Sequence, residues 1–172
     1  MKKFTTILAA AFIVAVPCYS MPLDSSGWYE STSSNYDEKL EEIKKLVEES
    51  KVLYARGVEL FHEERSEEAV EILTKSVGIA ETSLKKEAEM FSRLSKDPCQ
   101  LALRVVNTFF MITKVLIISD SLLIGFLHED VGSLQEARNF YNKTLEIIAD
   151  EKDELFEEIK NEVTSRLENL SE

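Results

Sequence analysis

From Tyr36 onward, apolar residues recur at helical spacing, and the pattern breaks at only three places. A 3.6-residue period sustained over this length, with no alternating stretch, predicts an all-α fold. The breaks are Glu64-Arg65-Ser66, Lys96-Asp97-Pro98 and Val131-Gly132-Ser133. Asp97 and Pro98 suit an N-cap and a first helical position. Ser133 and Glu136 have the spacing of a capping box. The breaks predict four segments, roughly Tyr36–Glu63, Ser66–Ser95, Pro98–Asp130 and Ser133–Leu170.

Three of the segments carry one apolar stripe each, with Glu and Lys on the opposite face. The first stripe is Leu40, Ile43, Val47, Leu53, Tyr54, Gly57, Leu60 and Phe61. The second is Ala69, Leu73, Val77, Ala80, Leu84, Ala88, Phe91 and Leu94. The fourth segment runs through Ala137, Tyr141, Leu145, Ile148, Leu155, Ile159, Val163, Leu167 and Leu170. The third segment differs, being apolar nearly all round from Leu101 to Leu127 and broken only by Arg104, Lys114 and Asp120. In a bilayer each of those charges costs a few kcal/mol. The longest uncharged run, Val105 to Thr113, is far short of a span. A central helix enclosed by the other three is the expected arrangement, with no transmembrane segment in the mature chain.

The N-terminus has a different character. Lys2 and Lys3 precede an uncharged apolar run from Leu8 to Pro17, and small residues stand at Cys18 and Ser20. This is the layout of a secretory signal peptide over residues 1–20, cleaved after Ser20, and it predicts an exported protein, periplasmic or secreted. Pro17 disfavours lipoprotein anchoring through Cys18. Residues 21–35, rich in Ser with Pro22 and Gly27, read as a flexible lead-in. Within it Trp28 and Tyr29 are expected to pack on the helical domain, residues 36–172. Cleavage leaves Cys99 as the lone cysteine, either a buried apolar side chain or a route to a covalent homodimer.

The chain carries 20 Lys and Arg against 32 Asp and Glu, a formal charge of −12. Loss of Lys2 and Lys3 leaves 18 against 32, or −14. Such a surface repels nucleic acid and anionic headgroups and favours basic partners.

Two stretches look alike. Gly57, Ala69, Leu73 and Ser76 recur as Gly125, Ala137, Tyr141 and Thr144, at an offset of 68 residues. Small residues at these places allow two antiparallel helices to approach closely, and larger neighbours fill the groove beside them. Here the chain resembles the tetratricopeptide repeat family, whose period is 34 residues. The resemblance implies stacked helical hairpins with a groove for a protein or peptide. Phe91 and Leu103 stand where a middle repeat would carry its small residues, and no proline ends either copy. A plain four-helix bundle is the alternative architecture.

No phosphate-cradling glycine loop, nucleophile elbow, paired-histidine zinc helix, Cys-x-x-Cys or calcium loop occurs, and no cofactor is implied. The two histidines each precede two acids near a hairpin tip, His62 with Glu63 and Glu64, His128 with Glu129 and Asp130. Stacked hairpins would bring His62, Glu63, His128 and Glu129 to one end, where they offer ligands for a Zn²⁺-like ion. The plainer expectation is that each imidazole faces a helix C-terminal dipole. Arg104, Lys114 and Asp120, with Phe109 and Phe110, are candidates to line a binding groove. Mutual pairing of the three charged residues inside the bundle is the other reading of them.

The functional expectation is a non-catalytic, extracytoplasmic helical-repeat adaptor for a protein or peptide, favouring basic ligands. The rival is a periplasmic carrier of a small apolar ligand, serving a transporter, with its cavity lined by Phe109, Phe110, Met111 and Ile112.

Overall fold

The computed structural model describes residues 34–94 and 100–170. Residues 1–20, expected as a signal peptide, lie outside the described residues, as do Trp28, Tyr29, Cys99, the expected helix start at Asp97-Pro98 and the side chain of Arg104. Among the described residues there are five helices and no strand: α1 (Ser34–His62), α2 (Ser66–Leu94), α3 (Gln100–Asp130), α4 (Leu134–Ile147) and α5 (Glu154–Asn169). The fold is all-α.

The α1–α2 and α3–α4 turns are built alike. After α1, Glu64 adopts a left-handed φ of 61°, and the Arg65 amide donates to the Leu60 carbonyl at 3.0 Å. After α3, Gly132 has φ 79°, and the Ser133 amide donates to the His128 carbonyl at 2.8 Å. Both are Schellman-type closures, in which a left-handed residue lets the next amide reach back to a free helix carbonyl. Ser133 is the N-cap of α4, but its side chain makes no capping hydrogen bond. The Ser133–Glu136 spacing therefore does not form the expected box.

The single fourth segment expected from Ser133 to Leu170 is two helices. α4 ends at Ile147, and α5 starts from Asp153, whose carboxylate accepts from the Leu155 amide at 2.9 Å. Between them the Glu151 amide bonds the Ile148 carbonyl. Lys160 Nζ reaches back to the Glu151 carbonyl at 2.8 Å. The Ala149-Asp150-Glu151-Lys152-Asp153 run holds no residue that must be buried. Asp153 competes for backbone amides, so the chain breaks there and restarts on a cap.

The described residues fall into two compact units, those within Met1–Glu49 and Ile79–Val115, and those within Ser50–Gly78 and Leu116–Glu172. In the first, the core includes Ile43 and Val47 of α1, Ala80, Met90 and Leu94 of α2, and Val106, Phe109 and Ile112 of α3. Lys86 on α2 pairs with Glu42 on α1 at 2.9 Å.

In the second unit every residue from Leu116 to Gly125 is buried, which matches the all-round apolarity of that stretch. Val105–Asp130 is long and apolar enough to cross a membrane by length and composition, and 72% of its most apolar window is buried against protein. Gly57 lies against Leu73 and Gly125 against Tyr141, and Ala69, Ala137, Ser76 and Thr144 have no exposed surface. The small residues sit where neighbouring helices come closest, and the large ones fill the space beside them.

The buried face of α2 departs from the expected stripe beyond Ala80. It passes through Ser83, Glu87, Met90 and Leu94, while Ala88 and Phe91 are exposed. Buried positions 69, 73, 76, 80, 83, 87, 90 and 94 alternate steps of four and three, the seam of a helix packed along its whole length. Polar residues occupy four of the inward places on α1 and α2: Ser50, Ser76, Ser83 and Glu87.

Candidate functional site

In the first unit, Glu87 has no exposed surface. The α2 seam aims its carboxyl inward, where Oε1 accepts from Ser83 Oγ at 2.8 Å and from Thr113 Oγ1 on α3 at 2.7 Å. Oε2 has no partner. Burial raises its pKa above the usual carboxylate range, and the two hydroxyls pull the other way. A buried carboxyl of this kind is costly when ionised and favours its neutral form.

In the second unit a set of hydroxyls lines the meeting of α1, α2 and α3. Ser76 Oγ donates to the Ser50 carbonyl at 2.9 Å, and the two serine hydroxyls lie 3.0 Å apart. Tyr54 is buried next to Ser119 and Asp120. Its phenol is pushed up to about 12, by burial first and then by the neighbouring Asp120 carboxyl. Asp120 is wholly buried, and neither of its oxygens receives a hydrogen bond. Burial drives its pKa well upward, and the nearby Ser76 hydroxyl opposes this more weakly.

A third polar group links α3, α4 and α5 in the same unit. Tyr141 Oη donates to Glu129 Oε2 at 2.6 Å, and Arg166 Nη1 donates to the same oxygen at 3.0 Å. Arg166 also binds Glu162 and stands over the Phe126 ring, 5.7 Å from its centroid. Burial and then the hydrogen bond to Glu129 raise the Tyr141 phenol, which keeps it protonated as the donor.

The residues singled out in the sequence are placed as follows. Asp120 and Phe109 are inside and are not available to a partner laid on the surface. Phe110 and Lys114 are half-buried, with the Lys114 ammonium 5.0 Å from the Phe110 ring centroid. Met111 is 39% exposed, so the aromatic cluster does not turn inward as one set. At the hairpin tips, His62 packs its ring beside Phe61 and His128 stacks on Phe140 at 5.9 Å. Glu63 pairs with Arg65 at 2.9 Å, and Glu129 is held by Arg166 and Tyr141. Among the described residues no group of three His, Cys, Asp or Glu side chains is placed to hold a metal ion. The two carboxylates offered as ligands are committed to arginines instead.

Sequence reasoning passed over Glu87, Ser50 and Thr113, because polar residues on a helix read as solvent-facing, and it marked Ser76 only as a small residue at a close approach. The signal that finds Ser76, Ser83 and Glu87 is the unbroken alternation of four- and three-residue steps along α2, traced regardless of polarity. Comparison with protein-family models, with curated proteins and with solved structures gives no match. The class is therefore defined by architecture alone, an all-helical hairpin protein with carboxyl groups sealed in its core.

Proposed function

We propose that the protein is an exported, non-catalytic adaptor that binds a basic protein or peptide through its acidic helical surface, with the mature chain starting at or near Met21. The observation that carries this reading is how charge and polarity are distributed. The formal charge is −12, while the carboxyls with raised pKa, Glu87 and Asp120, are enclosed. The outward faces of α1, α2, α4 and α5 carry closely spaced carboxylates, among them Glu41, Glu59, Glu67, Glu71, Glu136 and Glu157. Exposed apolar side chains interrupt those faces at Val52, Phe91 and Leu134, and two more stand at Met111 on α3 and Val131 in the α3–α4 turn. Carboxylates around scattered apolar contacts suit an interface in which charge steers the encounter and apolar burial holds the complex.

The test is a pull-down from the native envelope fraction with the mature chain, with N-terminal sequencing of the exported form. A protein or peptide partner retained at low salt, and a sequence starting near Met21, is expected. A retained small apolar molecule with no protein partner would overturn the adaptor reading, and an N-terminus that still held Phe4 would overturn export by cleavage.

A further inference from the structure

Asp120 stands in the most enclosed stretch of α3. It has no exposed surface, and neither carboxyl oxygen receives a hydrogen bond. Ser121 Oγ beside it is buried and unpartnered as well. The groups that face Asp120 from other helices are Tyr54 of α1 and Ser76 of α2. Both are neutral, so neither supplies a charge to balance an ionised Asp120. The Ser76 hydroxyl, which donates to the Ser50 carbonyl at 2.9 Å, favours the ionised form, and burial outweighs it. Tyr54 is a neutral phenol at any ordinary pH, and its own neighbour is Ser119. No lysine, arginine or histidine among the described residues contributes to the surroundings of Asp120.

A lone carboxylate in such surroundings either finds a cation, draws in water or keeps its proton. The apolar neighbours Ile117, Ile118, Leu123 and Ile124 are each at most 1% exposed, so the carboxyl is held away from bulk solvent. We propose that a proton on Asp120 is a structural ligand of this unit, and that its release to bulk water loosens the packing of α1, α2 and α3 around Ser50 and Ser76. The unit then senses pH, tight in mildly acidic surroundings and looser in alkaline ones.

The sign follows from linkage. An unfolded Asp releases its proton near 3.8, whereas burial raises the native value well above that. Between the two values the folded chain holds one more proton than the unfolded chain, so the folded-to-unfolded ratio falls about tenfold per pH unit. This stability is complete below 3.8 and is lost as pH rises through the native value.

The experiment measures denaturant unfolding of the full chain from pH 5 to 8, parent against Asp120→Asn. The variant is expected to show a dependence weaker by about one proton, or about tenfold per pH unit in the folding ratio. Identical pH profiles would overturn the proposal. In parallel, the ¹³C shift of the Asp120 carboxyl is followed in the labelled parent, which decides the matter even where Asp120→Asn fails to fold. A carboxyl that stays protonated well above pH 3.8 is expected. Its titration should coincide with faster exchange, corrected for intrinsic rate, of the Leu116–Ile124 amides. An ionised carboxyl at pH 7 with those amides still protected would overturn the proposal.

Discussion

Gly125 lies so close to the ring of Tyr141 that a Cβ added to the glycine would stand 2.6 Å from Cε1. The ring is pinned by its hydroxyl to Glu129 and cannot easily yield. The equivalent contact in the α1–α2 hairpin is between Gly57 and Leu73, where the same Cβ would be 2.5 Å from Cδ2. Gly78 in α2 meets nothing within 4 Å.

These three helical glycines therefore predict opposite signs. Gly57→Leu and Gly125→Leu should each lower stability by about 1–3 kcal/mol through overpacking. Gly78→Ala should raise it by about 0.5–1 kcal/mol, by removing the entropy cost of glycine in a helix. Urea denaturation of the three variants checks this. Three changes of one sign would contradict the close-approach geometry.

Helix ends give a second set of opposed effects. Glu64 and Gly132 do the same left-handed work at matching turns, but only one of them is glycine. The left-handed conformation costs a non-glycine residue about 1–2 kcal/mol. Glu64→Gly should thus be stabilising by about 0.5–1 kcal/mol, once the greater chain entropy of glycine is set against it. Asp153→Ala should cost about 0.5–2 kcal/mol, because that carboxylate caps α5. Ser133→Ala should cost less than about 0.5 kcal/mol, since its hydroxyl caps nothing. Equal losses at Asp153 and Ser133 in thermal melts would contradict this assignment of caps.

The helical class, the α1–α2 and α3–α4 turns and the enclosure of α3 from Leu116 to Gly125 were legible because each rests on a strong local pattern, whereas Asn107, Thr108 and Met111 of the same helix are exposed. The pairing of Gly57 with Leu73 and of Gly125 with Tyr141 was also legible, from small residues in matching order. Beyond Ala80 the reading of α2 went astray at particular residues. An apolar trace steps to Leu84, Ala88 and Phe91, whereas the helix keeps its phase and buries Ser83 and Glu87. A carboxyl in a core leaves no hydrophobic mark, and its hydroxyl partners lie near it only after folding. The break before Asp153 was hidden for a related reason, since a polar run such as 149–153 looks the same in a loop as on a solvated helix face.

Glu87 makes stability depend on pH in a defined direction. Its native pKa is raised above 4.5, chiefly by burial. Stability from this group is therefore complete below 4.5 and is lost as pH rises through the native value. Glu87→Gln keeps the shape and removes the titration. Its unfolding free energy should fall less steeply with rising pH than that of the parent above about pH 5. Superimposable profiles in denaturant titrations across pH 5–8 would show that Glu87 ionises normally in the folded chain.

The adaptor reading is tested most directly by binding kinetics with the captured partner across a salt series. Charge steering acts on association and is screened beyond ~8 Å at physiological ionic strength. With a formal charge of −14 on the mature chain (18 Lys and Arg against 32 Asp and Glu), the association rate should fall as salt rises, while dissociation, governed by apolar contacts, stays nearly constant. Association that is indifferent to salt would remove the acidic surface from recognition and contradict the proposed function.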